Sequence, residues 1–273
     1  MHYPVWVNGS KHERVDPEDR GLAYGDGLFE TVRVEAGRAV LLDQHFSRLE
    51  TDAATLGIAL EMTSLKREFH DFIAACPVSC IAKIIVTRGS SGRGYLPVPD
   101  AVPTRILIAS GTPTWPSAHS DSGIDAVVCS FNLAIQPALA GLKHLNRLEQ
   151  VLLRHEIAEK GSAEGLVCDL QGRVIEGVFS NLFMVRHGRL ETPAISGAGI
   201  RGVMRASIMQ QAGSEGVPVI EGDYGVEDFL AAEEIFFCNS VYGLWPVRSL
   251  LGRHWSPGPV TRRWQAFWQQ QLG

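Results

Sequence analysis

The chain has 273 residues, 45% of them apolar and 20% charged, and a formal net charge of −5. That length allows one large domain or two modest ones, and the acidic balance argues against nucleic acid as a partner, because phosphate backbones require a basic footprint. Five cysteines without a CxxC pair support neither a disulfide framework nor a zinc ribbon.

The N-terminal segment lacks an apolar core and a small-residue cleavage site, and no apolar run approaches the ~20 residues needed to span a bilayer. A soluble, cytoplasmic protein with no membrane contact is expected. Val5–Val7, Phe29–Val34 and Ala39–Leu42 read as strands, with Asn8-Gly9 and Ala36-Gly37 as turns. A helix is expected from an Asp43 cap to Gly57, with Phe46, Leu49, Ala53 and Leu56 on one face. A second follows from Thr63, with Leu65, Phe69, Phe72 and Ile73 inward. Cys80–Arg88 and Thr104–Ser110 read as buried strands.

The proline-bearing segment 111–120 has little periodicity and suits an inter-domain connection. Past it, Ile124–Ser130 reads as a strand, and Lys143–Lys160 as a helix with Leu145, Leu148, Val151 and Leu152 inward. Short strands dominate from Leu166 to Leu190. A helix opens at Gly199–Gly202, Glu234–Cys238 is another strand, and Trp264, Phe267 and Trp268 give the last helix an apolar side. The expected fold class is α+β in two domains. Residues 1–114 form a smaller N-terminal α/β domain, 115–120 a linker, and 121–273 a larger C-terminal domain of mixed strands and helices.

Only five lysines (Lys11, Lys66, Lys83, Lys143, Lys160) stand beside twenty arginines. Lys143 follows a loop of small residues and, on this reading, opens a helix, where the macrodipole disfavours a cation and favours a neutral, nucleophilic amine. A plain surface lysine fits the same position. Glu176, followed by Gly177, Ser180 and Asn181, suits a ligand-facing turn or a solvated one. Gly199-Ile-Arg-Gly202 at a helix start offers backbone N–H groups to an anion, as many glycine-rich helix starts would. The arginines of Arg88-Gly-Ser-Ser-Gly-Arg-Gly-Tyr95 could pair with carboxylates, or the segment could be a flexible turn. Arg48 could make a surface ion pair. Histidines 2, 12, 45, 70, 119, 144, 155, 187 and 254 show no HxxxH or HxH spacing, so no metal site is expected.

Seven blocks in order resemble the class IV (fold-type IV) pyridoxal-phosphate enzymes: Asp19–Glu30, His45–Leu49, Arg88–Tyr95, Lys143–Gln150, Glu176–Phe183, Gly199–Arg205 and Cys238–Val247. Within that group, Lys143–Val151 and Arg88–Tyr95 look most like the aminodeoxychorismate lyase branch. The resemblance implies that Lys143 holds pyridoxal 5'-phosphate as a Schiff base and shuttles protons. Glu176 would sit on the pyridine nitrogen, with Asn181 in the same cofactor-facing turn. Arg48, the backbone N–H groups of Ile200 and Arg201, and the Ser240 hydroxyl would hold the phosphate. Arg93 and Tyr95 would meet a substrate carboxylate and Thr31 would face the pocket. Asn146 and Arg147 would serve a second anion or orient the ring, although Arg147 could instead pair with Glu149. The implied activity releases 4-aminobenzoate and pyruvate, for folate synthesis. A D-amino-acid or branched-chain aminotransferase would use the same cofactor residues, and a non-catalytic relative would bind no chromophore. A homodimer is expected from the resemblance.

Overall fold

The computed structural model describes residues 3–11, 14–91 and 93–273; His2, His12 and Gly92 of the segments above lie outside them. The chain forms two compact units, Met1–Pro113 with Lys143–Asn146, and Thr114–Leu142 with Arg147–Gly273.

The first unit is built on strands β1 (Val5–Val7), β2 (Gly27–Glu35), β3 (Arg38–Ala39), β4 (Cys80–Thr87) and β5 (Thr104–Ser110). They form an antiparallel sheet in the order β1-β5-β4-β2-β3. Strand β2 alternates as a half-covered strand should: Leu28, Glu30, Val32 and Val34 are buried, whereas Phe29, Thr31 and Arg33 are only partly covered. Helix α1 (Arg20–Tyr24) is capped by the Asp19 side chain and ends at Gly25 in the left-handed region. Helices α2 (Leu42–Leu56) and α3 (Met62–Ala74) bring Phe46, Leu49, Leu65, Phe69 and Phe72 into one core with the buried face of β2 and β4. Asp43 is not the cap of α2: that position falls to Leu41, without a side-chain bond, and Asp43 sits in the first turn, where its charge favours the dipole. Glu61 caps α3 by accepting from Thr63 and Ser64.

The second unit holds helix α4 (Ala118–Asp121), β6 (Ile124–Val128), α5 (Leu148–Glu159), β7 (Glu164–Cys168), β8 (Val174–Gly177), β9 (Asn181–Arg186) and β10 (Arg189–Pro193). It continues with α6 (Val203–Ser214), β11 (Val219–Gly222), α7 (Val226–Leu230), β12 (Glu234–Asn239), β13 (Gly243–Leu250), β14 (Arg253–His254) and α8 (Pro259–Leu272). Its mixed sheet runs β11-β10-β9-β12-β13-β6-β7-β8, with β14 on β13. The pairs β10–β11, β6–β13 and β6–β7 are parallel. Within segment 115–120, Trp115 packs edge-on against Tyr242 and Trp245 at 5.8 and 5.5 Å between ring centroids. Trp264 and Trp268 of α8 are buried.

The helix expected over 143–160 is shorter, Leu148–Glu159, and buries Leu153 and Ile157. Leu148, Val151 and Leu152, expected inward, are 78%, 50% and 52% exposed. Residues 143–145 are extended instead, because β2 offers them backbone partners: Phe29 N donates to Lys143 O at 3.0 Å, and Leu145 N to Gly27 O at 2.9 Å. Lys143 therefore does not open a helix, and the dipole argument for its amine falls away.

Candidate active site

In the first unit, the buried face of β2 carries Glu30 against α2. Arg48 Nε donates to Glu30 Oε1 at 2.7 Å and Arg48 Nη2 to Oε2 at 2.5 Å, a bidentate pair. His45 Nδ1 lies 2.6 Å from the same Oε2. An ionised carboxylate only accepts, so the Nδ1 atom carries the hydrogen. The buried His45 Nε2 has no hydrogen-bond partner among the described residues. Burial alone would raise Glu30, but the Arg48 and His45 interactions outweigh it and hold the carboxyl down at about 2. Burial lowers His45 below its ordinary value, against the pull of Glu30, and the ring is neutral near pH 7.

On the other face of β2, Lys143 Nζ lies 4.3 Å from the Phe29 ring centroid, and Lys83 Nζ lies 5.0 Å from the same centroid. Thr31 stands opposite Lys83 in the β2–β4 register. The Lys143 backbone is pinned by its N–H, which donates to Asp52 Oδ2 at 2.9 Å. Asn146 Nδ2 donates to Gly25 O at 3.2 Å. A side chain at Gly25 would run into that amide, and its φ of +65° suits glycine as well. Arg93 and Tyr95 are exposed, Tyr95 at 86%. Arg88 is a staple of the fold: it pairs with Asp26 and donates to the carbonyls of Leu56 and Gly57 at the end of α2.

In the second unit, Glu176 is buried on β8 and accepts from the Ile200 amide at 2.8 Å. The Arg201 amide donates to Gly141 O at 3.0 Å. The Gly202 amide donates to Asn181 Oδ1 at 3.0 Å, and Asn181 Nδ2 donates back to Ile200 O at 2.9 Å. The amides of Ile200 and Arg201, expected to point at an anion, are thus engaged by the protein itself. Asn181, expected to face the cofactor, ties down the loop before α6 with both ends of its amide. A Cβ at Gly199 would lie 2.6 Å from Ile175 Cγ2 and 3.2 Å from Glu176 Oε2, so only glycine lets the loop come this close to the carboxylate.

Arg147 lies near Glu176 and Glu149; burial lowers its guanidinium from the ordinary value, and the two carboxylates pull the other way. Ser240 follows β12 in a turn shaped by Asn239, whose Oδ1 accepts the amides of Val241 and Tyr242 at 2.9 Å each. Among the described residues, no group of three or more His, Cys, Asp and Glu could hold a metal.

Sequence reading missed Glu30, His45, Asp52 and Lys83. His45 and Arg48 are three residues apart on one helix, a spacing that puts both side chains on one face and could have flagged a shared partner. Lys83 alternates with buried neighbours on β4, which marks an apolar strand interrupted by one cation. Nothing in the local sequence marks Asp52.

An antiparallel unit carrying the lysine, and a mixed-sheet unit carrying a buried glutamate behind a glycine-tight helix start, define an α+β two-domain enzyme scaffold. Residues 27–250 match the amino-transferase class IV family, and the chain belongs to that family. It is 34% identical over 264 residues to the aminodeoxychorismate lyase of Vibrio harveyi, covering 95% of this chain and 97% of that protein. The crystal structure of 4-amino-4-deoxychorismate lyase from Pseudomonas aeruginosa superposes with a TM-score of 0.95 at 46% identity, covering 98% and 99% of the two chains. The branched-chain amino acid aminotransferase of Escherichia coli gives 0.88 at 27% identity, covering 97% and 93%.

Proposed function

We propose that the chain is a pyridoxal 5'-phosphate-dependent lyase that converts 4-amino-4-deoxychorismate to 4-aminobenzoate and pyruvate, within folate synthesis. The geometry that supports this reading best is the pair of cations, Lys143 and Lys83, at the Phe29 ring beside Thr31. The substrate carries two carboxylates, neither adjacent to its amine. One cation can therefore serve the chemistry while others, Lys83 and Arg93, seat the anions.

The side chains fit the cofactor's chemistry. Lys143 offers a primary amine for the aldehyde and Glu176 a buried carboxylate for the ring nitrogen. Arg48, pre-oriented by Glu30, and the Ser240 hydroxyl suit the phosphate, and the tight approach of Gly199 to Glu176 forms a wall that a side chain would fill. Asn181 acts by holding that wall. Ile200 and Arg201 would contribute N–H groups only by exchanging their present partners.

When bound, the cofactor withdraws electron density from the carbon that bears the substrate amine. Lys143 Nζ takes the proton from that carbon and returns a proton to the departing enolpyruvyl oxygen. Aromatisation of the ring drives the step. Glu176 would meet the pyridine nitrogen and hold a proton there. Thr31 would face the substrate pocket, and Asn146 and Arg147 follow Lys143 closely in sequence. The Glu176 and Glu149 carboxylates near Arg147 favour a role for it in holding Glu176.

The chain works as a homodimer in the cytoplasm on this reading. Leu148, Val151 and Leu152 form an exposed apolar stripe at i, i+3, i+4 spacing on α5, the kind of surface a second copy covers. No helix among the described residues is long and apolar enough to cross a membrane.

Supplying aminodeoxychorismate and quantifying 4-aminobenzoate with pyruvate tests the activity. Its kcat/KM is expected to exceed that for amino transfer from D-alanine, L-leucine or L-glutamate by at least ~10³, about 4 kcal/mol of transition-state discrimination. Equal or faster amino transfer from any of these would make the chain an aminotransferase.

A further inference from the structure

Arg20 stands outside every role assigned above, yet its side chain is only 4% exposed. A guanidinium cannot shed its charge, so burying it requires acceptors for its N–H groups. Nε donates to Asp26 Oδ2 at 2.8 Å. Nη1 donates to Gly94 O at 2.9 Å and reaches Ser91 Oγ at 3.4 Å, and Nη2 donates to Tyr95 O at 2.7 Å. Two consecutive carbonyls of one loop are thus gripped by one planar fork. The Tyr24 ring covers the guanidinium at 4.8 Å, and the Tyr24 and Tyr95 rings meet at 5.4 Å. The Arg20 backbone adds a further tie, its N–H donating to Gly89 O at 3.0 Å.

The bonds to Gly94 and Tyr95 go to the loop's backbone and leave Arg93 exposed and Tyr95 86% exposed. A fixed backbone beneath outward side chains is how a glycine-rich segment is made to present groups at one place. We propose that Arg20 is a positioning residue that sets the Arg93–Tyr95 loop for the substrate carboxylate. The inference rests on the reading of Arg93 and Tyr95 as carboxylate contacts.

The test compares Arg20→Ala, Arg20→Lys, Arg93→Ala and the Arg20→Ala/Arg93→Ala pair as holoenzymes. Arg20→Ala is expected to raise KM for aminodeoxychorismate at least ~10-fold, leave kcat within about threefold and leave the cofactor's absorbance unchanged. Arg20→Lys keeps a cation for Asp26 but cannot span two carbonyls, so it should show the same KM rise at smaller size, and it stands in if the alanine variant fails to fold. In the double variant, Arg20→Ala should add little to the rise caused by Arg93→Ala. Chymotryptic cleavage after Tyr95 should quicken about tenfold in Arg20→Ala.

A raised KM in Arg93→Ala beside an unchanged KM in the Arg20 variants overturns the positioning role. So does a fall in kcat or loss of the cofactor with KM unchanged, which would mark Arg20 as general support for the fold. An unchanged KM in Arg93→Ala overturns the carboxylate reading itself, and the function of the clamp with it; the cleavage rate then still reports whether Arg20 holds the loop.

Discussion

The backbone N–H of Lys143 donates to the side chain of Asp52, a buried residue of α2, at 2.9 Å. The bond fixes the segment that carries the amine to the helix that carries Arg48, so one element steadies both groups. Asp52→Asn retains an oxygen acceptor and is expected to keep kcat within about threefold. Asp52→Ala should lower kcat about tenfold, near 1.4 kcal/mol of barrier. Equal activity in the two variants, measured by 4-aminobenzoate release, would show that the bond does not matter to Lys143.

Glu176 and Arg48 should separate chemistry from retention. Glu176→Gln is expected to bind the cofactor nearly as well but to lose at least ~100-fold in turnover, because a neutral amide cannot stabilise a protonated ring nitrogen. Arg48→Ala should weaken cofactor affinity first, and it also strands the buried Glu30 carboxylate, so a lower melting temperature is expected too. Turnover of Glu176→Gln within about threefold of wild type would remove Glu176 from the ring nitrogen. Unchanged cofactor affinity in Arg48→Ala would remove Arg48 from the phosphate.

The Glu30–His45–Arg48 cluster makes the protein acid-sensitive. Glu30 falls from 4.5 to about 2 on folding, so its stabilisation is present above pH ~4.5 and is lost as the pH drops toward ~2; the full effect is about 3 kcal/mol. His45 is lowered from 6.5 by burial and must charge below that pH, which acts in the same direction. Urea midpoints should therefore fall between pH 6.5 and 3. Glu30→Gln should be less stable than wild type at pH 7 yet lose less between pH 5 and 3. Parallel pH slopes for the two proteins would place the acid sensitivity elsewhere.

The α5 stripe gives a test of assembly. Light scattering on the purified protein should report twice the 29.8 kDa chain mass, and Leu148→Glu with Leu152→Glu should shift it toward the single chain. A dimer undisturbed by both substitutions would place the interface on another surface.

Much of this was legible in the sequence where a regular period meets one core. Leu65, Phe69 and Phe72 on α3 lie inward as their spacing requires, and the alternation of β2 marks its buried face. The errors have physical causes. Leu145, Leu148, Val151 and Leu152 mimic a helical period reaching back to Lys143, but the amide and carbonyl groups of β2 capture residues 143–145 as an extended segment. The spacing of Leu148, Val151 and Leu152 identified an apolar face but could not say that the chain leaves it open. Glu30 with Arg48, Asp52 with Lys143, and Arg20 with the carbonyls of Gly94 and Tyr95 join residues 18, 91 and 74 to 75 positions apart. Such bonds leave no periodic trace, and those to backbone carbonyls do not depend on the partner's residue type at all.

Lys83 shares the Phe29 ring with Lys143, which makes it the natural competitor for the cofactor. Borohydride reduction of the holoenzyme, followed by mass spectrometry of a digest, decides between the two amines. A single pyridoxyl group on Lys143, with Lys83 unmodified and Lys143→Ala unable to release 4-aminobenzoate, is the expected result. Pyridoxyl on Lys83, or full lyase activity in Lys143→Ala, would contradict it.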